Sequence, residues 1–110
     1  MSIKNAYGNL TYVVGHSLGA SFNTAPINLQ YFGGAVISLV WTGTPTGTFQ
    51  VAGSVDGMNF DPLIMNAASA SGSAGSFIFD VTTTQLPFLQ VQWIYTSGSG
   101  TLNASYFQKG

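Results

Sequence analysis

Apolar and polar residues alternate with a period of two along much of the chain, which predicts strands. The clearest instance is TFQVAGSVDGMNFDPLIM at residues 48–65. Phe49, Val51, Gly53 and Val55 share one face there, and Gln50, Ala52 and Ser54 the other. Asp56-Gly57 supplies the positive φ angles of a tight turn, so the stretch is expected to be a β-hairpin closed at that pair. Phe60, Leu63 and Met65 on the returning arm point toward the same core.

The rest of the chain follows the same rule. Residues 1–9 are polar and are expected to form an N-terminal arm, with residues 10–110 as the sandwich domain. Leu10, Tyr12 and Val14 alternate with Thr11 and Val13 as a strand that the Gly15–Gly19 stretch breaks. Short extended segments are expected at 20–24 and 27–30, with Ile27 and Leu29 on one side of the second. Ala25-Pro26 separates them, because proline keeps its predecessor out of helical space. Gly33-Gly34 turns the chain into AVISLVWT at 35–42, apolar on both faces, the pattern of a central and well-covered strand. GTPTG at 43–47 is a loop. The Ala/Ser/Gly run at 66–76 also reads as a loop. Phe77 and Phe79 share a face of a strand at 77–81, and 82–87 is a connection. FLQVQWIYT at 88–96 is a long strand with Leu89, Val91, Trp93 and Tyr95 inward. SGSG at 97–100 turns the chain, and 101–107 returns with Leu102, Ala104 and Tyr106 on the core face.

Apolar spacing of three and four is not sustained over any helical window. Short strands joined by Gly-rich turns predict an all-β fold: a single antiparallel β-sandwich of about eight strands, jelly-roll or discoidin-like. A chain of 110 residues supports one such domain with one modest core.

Composition changes the picture at the surface. Lys4, Lys109, Asp56, Asp61 and Asp80 are the whole charge complement, 5% of residues, against about 25% in an ordinary domain. There is no Arg, Glu or Cys, and Gly, Ser and Thr make up about a third of the chain. Near-zero net charge promotes association, so much of the surface is expected to be covered by other subunits, including copies of the chain itself. Two lysines at opposite ends cannot neutralise a row of phosphates, which argues against nucleic acid as a partner. The apolar run at 35–41 is too short for a membrane-spanning helix. MSIKNAYGN lacks the apolar core of a secretory signal, so synthesis in a host cytoplasm is expected.

Candidate chemistry is sparse. Gly15-His16-Ser17-Leu18-Gly19 matches the letters of the G-x-S-x-G nucleophile elbow. That elbow needs a strand-to-helix turn and a separate His and acid downstream, whereas His16 is the single histidine and adjoins Ser17. A Gly-rich turn with both residues exposed is expected instead. Asp56 and Asp61 with backbone carbonyls could form a calcium site, but the dense EF-hand spacing is missing and both read as turn-makers. Paired carboxylates for glycoside hydrolysis are not expected from three Asp, two of them in or near turns. No catalytic, cofactor-binding or metal-ligating residue is assigned, no cofactor is implied, and the chain is not expected to be an enzyme. Trp41, Phe49, Phe77, Phe79, Trp93 and Tyr106 are expected in the core. Tyr7, Tyr12, Tyr31, Phe32 and Phe60 are surface candidates, and with Asn and Gln nearby they would suit a sugar or a protein interface.

FQVAGSVDGMNFDPL resembles the strand-turn-strand of discoidin-like β-sandwiches, V-x-x-S-x-D-G-x-x-W, with Phe60 where Trp is commoner. FLQVQWIYTSGSGTLNASYF resembles the closing hairpin of the same group. With the lead-in WTGTPTGTFQV, residues 35–107 resemble small β-sandwich proteins of bacteriophage virions. The resemblance implies a virion structural protein, such as a capsid decoration or cement protein that bridges capsid subunits, with the major capsid protein or other virion proteins as partners. A glycan-binding spike or fibre module is the alternative. The terminal disulfide common in discoidin-like domains has no cysteines here, and no binding residues carry over.

Overall fold

The computed structural model describes residues 9–29, 34–63, 67–81 and 86–109. Ten strands run through them: β1 (Asn9–Ser17), β2 (Phe22–Asn23), β3 (Ile27–Asn28), β4 (Gly34–Gly43), β5 (Thr46–Ser54), β6 (Asp61–Pro62), β7 (Ala68–Ser71), β8 (Gly75–Val81), β9 (Phe88–Ser97) and β10 (Gly100–Lys109). All pairings are antiparallel. The first sheet has the order β1-β10-β4-β8. In the second, β9 and β5 lie side by side, with β2 and β3 on the outer edge of β9 and β6 and β7 on the outer edge of β5.

This is an eight-position jelly roll in which two positions are each filled by two short segments. The expected eight strands and the ten observed are therefore the same architecture. Each break has a local cause or a local repair. Between β2 and β3, Pro26 lacks an N–H for the ladder. Thr24 bridges the gap: its N–H donates to the Val91 carbonyl at 2.9 Å, and the Val91 N–H donates to Thr24 Oγ1 at 2.9 Å. Between β6 and β7, the Leu63 N–H still reaches the Val51 carbonyl at 2.9 Å.

The core lies between the sheets. Trp41 of the first sheet meets Phe49 of the second at a ring-centroid distance of 5.0 Å, and Phe49 meets Trp93 at 4.4 Å. Ile37, Leu39, Phe79, Leu102, Val51, Leu89 and Val91 close around them. Both indole N–H groups find carbonyls, Trp93 on Leu18 at 3.2 Å and Trp41 on Ser73 at 3.1 Å, so each ring is buried without an orphaned donor. Phe77 and Tyr106 are half-buried and pack against this cluster, as does Tyr12, which was expected at the surface.

Several expectations are corrected. β1 does not break at Gly15 but runs to Ser17, and its two register shifts against β10 put Val14 in solvent, 76% exposed, while Val13 packs on the core. The hairpin at 48–65 is closed by the longer loop 55–60, not by a two-residue turn, and Val55 leaves the core face at 75% exposed. Tyr95 is also exposed, where a bulge at Thr46/Gly47 shifts the β5–β9 register. β4 is central in its sheet, but only one face is covered; Val40 on the other is 46% exposed. The run at 66–76 contains β7, and Gly34 and Gly100 open strands instead of completing turns. Tyr7, Tyr31, Phe32, Met65 and all of the expected arm except Asn9 lie outside the described residues.

Candidate functional site

The G-x-S-x-G letters sit in and just after an extended strand, not on an elbow. His16 Nδ1 donates to the Ser17 carbonyl at 2.9 Å, and its ring stacks on Phe22 with centroids 3.7 Å apart. The Ser17 hydroxyl accepts from the Gly19 N–H at 3.2 Å. Both residues are exposed as expected, and the imidazole and hydroxyl are committed to different backbone partners.

Two of the three carboxylates, Asp56 and Asp61, line a common cavity of about 330 Å³ beside the β5–β6 loop, and Asp80 lies apart from them. Asp80 lies on β8 in the first sheet, while Asp56 and Asp61 flank a loop of the second. Among the described residues no cluster of three or more His or acidic side chains could hold a metal. Asp56 organises the β5–β6 loop. Its Oδ1 accepts from the N–H groups of Met58 at 2.8 Å and Asn59 at 2.9 Å and from the Ser54 hydroxyl at 2.8 Å. Its Oδ2 accepts from Asn59 Nδ2 at 2.8 Å. These donors, the Asn59 N–H foremost, hold the carboxyl well below the usual Asp range. Gly57 supplies the left-handed backbone at φ 77°, so both the Asp56 side-chain capping and the positive φ of the expected turn chemistry are retained, in a longer loop.

That loop forms one wall of a cleft of about 550 Å³ on the outer face of the second sheet. Met58, Asn59, Phe60 and Asp61 line this wall, and Asn23 and Pro26 from the β2–β3 break line the opposite one. Gln90 and Gln92 of β9 form the floor. The floor is wired in one direction. Gln50 Nε2 donates to Gln92 Oε1 at 2.7 Å, Gln92 Nε2 to Gln90 Oε1 at 3.0 Å, and Gln90 Nε2 to the Thr24 carbonyl at 3.2 Å. The register puts Gln50 directly opposite Gln92, and Ala52 opposite Gln90. Ala52 is fully buried although it belongs to the outer face, so the sheet is roofed at that point.

Of the expected surface aromatics, Phe60 lines this cleft. Sequence reasoning put Gln90 and Gln92 on the non-core side of β9 without assigning them a site. The available signal was three glutamines, at 50, 90 and 92, on the solvent face of two neighbouring strands whose other faces are wholly apolar.

No protein-family profile matches the chain, and no characterised protein matches it by sequence. Its fold is nevertheless shared with solved structures. The PBSX exported protein XepA superposes with a TM-score of 0.69 at 7% identity over 96% of this chain, which spans 38% of XepA. The SPBc2 prophage-derived protein YomS gives 0.56 at 9% identity, covering 93% of this chain and 92% of YomS. The coat protein of Tobacco streak virus gives 0.53 at 13% identity, covering 96% and 87%. At these identities the likeness establishes the β-sandwich fold, in the company of phage and viral proteins.

Proposed function

We propose that this chain is a non-enzymatic structural protein of a phage virion, in the role of a capsid decoration or cement protein that bridges capsid subunits. The outer face of the first sheet carries the reading. Val14, Val40 and Ile78 stand there 46–76% exposed, among Ser38, Thr42, Ser76, Thr101, Asn103 and Ser105, with Asp80 as the face's only carboxylate. A nearly uncharged sheet face suits burial against a neighbouring virion protein, because little charge must be desolvated. The mechanism is passive: a rigid sandwich spans a seam between capsid subunits, and copies of the chain associate around a symmetry axis. The fold it shares with YomS and a viral coat protein agrees with this setting.

The test is particle stability. Particles lacking this chain should release their genome at lower temperature or lower ionic strength than complete ones. Equal stability of the two would remove the cement role. The cleft on the opposite sheet favours the second reading, a glycan-binding spike or fibre module, because its lining is amide-rich and carries an aromatic ring.

A further inference from the structure

We infer that the cleft between the β2–β3 break and the β5–β6 loop binds a neutral oligosaccharide, with Gln90, Gln92, Asn23 and Asn59 as hydrogen-bonding groups and Phe60 in one wall. This deepens the glycan-binding reading and is independent of the cement role, since the two faces belong to different sheets.

Size and lining decide the ligand class. At about 550 Å³ the cleft falls within the ~300–1,000 Å³ of small-molecule sites. Such sites are usually mostly apolar, whereas this one is walled and floored by amides. A ligand that uses it must bring many hydrogen-bonding groups of its own. Among the described residues no Lys, Arg or His lines the cleft, and the one charged group lining it is the Asp61 carboxylate. Phosphate, sulfate and uronate groups would meet no cation there and would be repelled by Asp61. A hydroxyl-rich, uncharged ligand fits both facts.

The amides are preset. Each glutamine nitrogen carries two N–H groups, and the chain from Gln50 through Gln92 to Gln90 and the Thr24 carbonyl engages one from each. This fixes the orientation of the three glutamine amides before a ligand arrives and leaves a second N–H on Gln92. Gln90 is 7% exposed, so its rotamer is held by packing as well. Asn59 is held in the same way, with its Nδ2 tied to Asp56 Oδ2 at 2.8 Å. A saccharide hydroxyl both donates and accepts, which matches a surface of amides offering both functions. Phe60, Met58 and Pro26 complete the lining beside the amides.

The experiment is an amide-detected NMR titration of the whole chain. The probes are neutral gluco-, galacto- and manno-oligosaccharides, with oligogalacturonate as the anionic comparison. At least one neutral series should shift the side-chain amide signals of Gln92 and Asn59 in a saturable way. Oligogalacturonate should bind at least about tenfold more weakly. Phe60→Ala and Asn23→Ala, both in cleft walls outside the core cluster, should each weaken binding about tenfold with an unchanged spectrum elsewhere. Gln92→Ala should do the same if it folds, and the two wall variants decide if it does not. Absence of shifts with every neutral probe at millimolar concentration would overturn the proposal. So would equal binding of oligogalacturonate, shifts confined to other faces, or wall variants that bind as well as the parent. None of these outcomes bears on particle stability, so the cement reading stands or falls separately.

Discussion

Asp56 shows how one side chain can serve a loop without serving a reaction. Its two oxygens accept four hydrogen bonds from Ser54, Met58 and Asn59, so the carboxylate is committed within its own turn. The folded-state pKa is depressed, so the stabilisation is fully present above the ordinary Asp value of about 3.9 and is lost only as pH falls through the lower folded value. Hydrogen exchange at the Met58 and Asn59 amides should therefore show unchanged protection from neutral pH to about pH 4 and a loss only in stronger acid. Asp56→Asn should lower that protection at neutral pH and flatten its acid dependence. Tyr12 has the opposite sign. Burial pushes its phenol up to about 12, against the hydrogen bond with Thr24, while Tyr106 adds to the rise. The folded state holds the proton that the unfolded chain gives up near pH 10, so stability should fall as pH rises from about 10 to about 12. Tyr12→Phe should abolish that alkaline slope in a denaturation series. At neutral pH it should cost about 1 kcal/mol, because the Ala25 carbonyl loses its donor.

Among the elements, the period of two was legible wherever a strand is paired in simple register. Ile37, Leu39 and Trp41 on β4, Phe49 and Val51 on β5, and Leu89, Val91 and Trp93 on β9 all lie inward as the alternation requires. The alternation misled at Val14, Val55 and Tyr95. Val14 follows a bulge against β10, Val55 lies just past the end of β5, and Tyr95 faces the bulge at Thr46/Gly47. Bulges are set by the partner strand, 40 or more residues away in these pairs, and a local pattern does not contain them. Gly47 is the most constrained residue at such a place. A Cβ there would lie 2.3 Å from the Ile94 carbonyl oxygen and 2.6 Å from the Trp93 ring. Gly15, with φ at +61°, has nothing within 4 Å of its Cβ position, so only backbone strain opposes a side chain. Gly47→Ala should therefore cost about 3 kcal/mol and Gly15→Ala about 1 kcal/mol in urea denaturation. Equal losses would mean that close packing of Trp93 on the β5 backbone is not what excludes a side chain at position 47.

At the scale of the molecule, the two sheets expose outer faces of different character. The face of the first carries Val and Ile among hydroxyls, with a shallow depression of about 230 Å³ lined by Val14, Ser38, Val40, Asn103 and Ser105; that of the second has a larger cleft lined with amides. The scarcity of charge was legible in the composition, but its division between two faces needed the strand order β1-β10-β4-β8 and the β5–β9 register. Residues 14, 40, 78, 90 and 92 are scattered along the chain, and no spacing rule gathers them. If the first face docks on the capsid and the second holds a saccharide, the two functions must separate by mutation. Val40→Lys combined with Ile78→Glu places charges on exposed positions of the first face, outside the core cluster. This double variant should keep the parent's melting temperature, because exposed substitutions usually change stability by less than about 0.5 kcal/mol. It should lose binding to particles, because each charge would have to be buried in the contact. The saccharide titration should be unaffected in this variant, and Phe60→Ala should show the converse, normal binding to particles with weakened saccharide binding. Co-sedimentation with particles stripped of this chain measures the first property. A double variant that sediments as well as the parent would move the capsid contact off the first sheet.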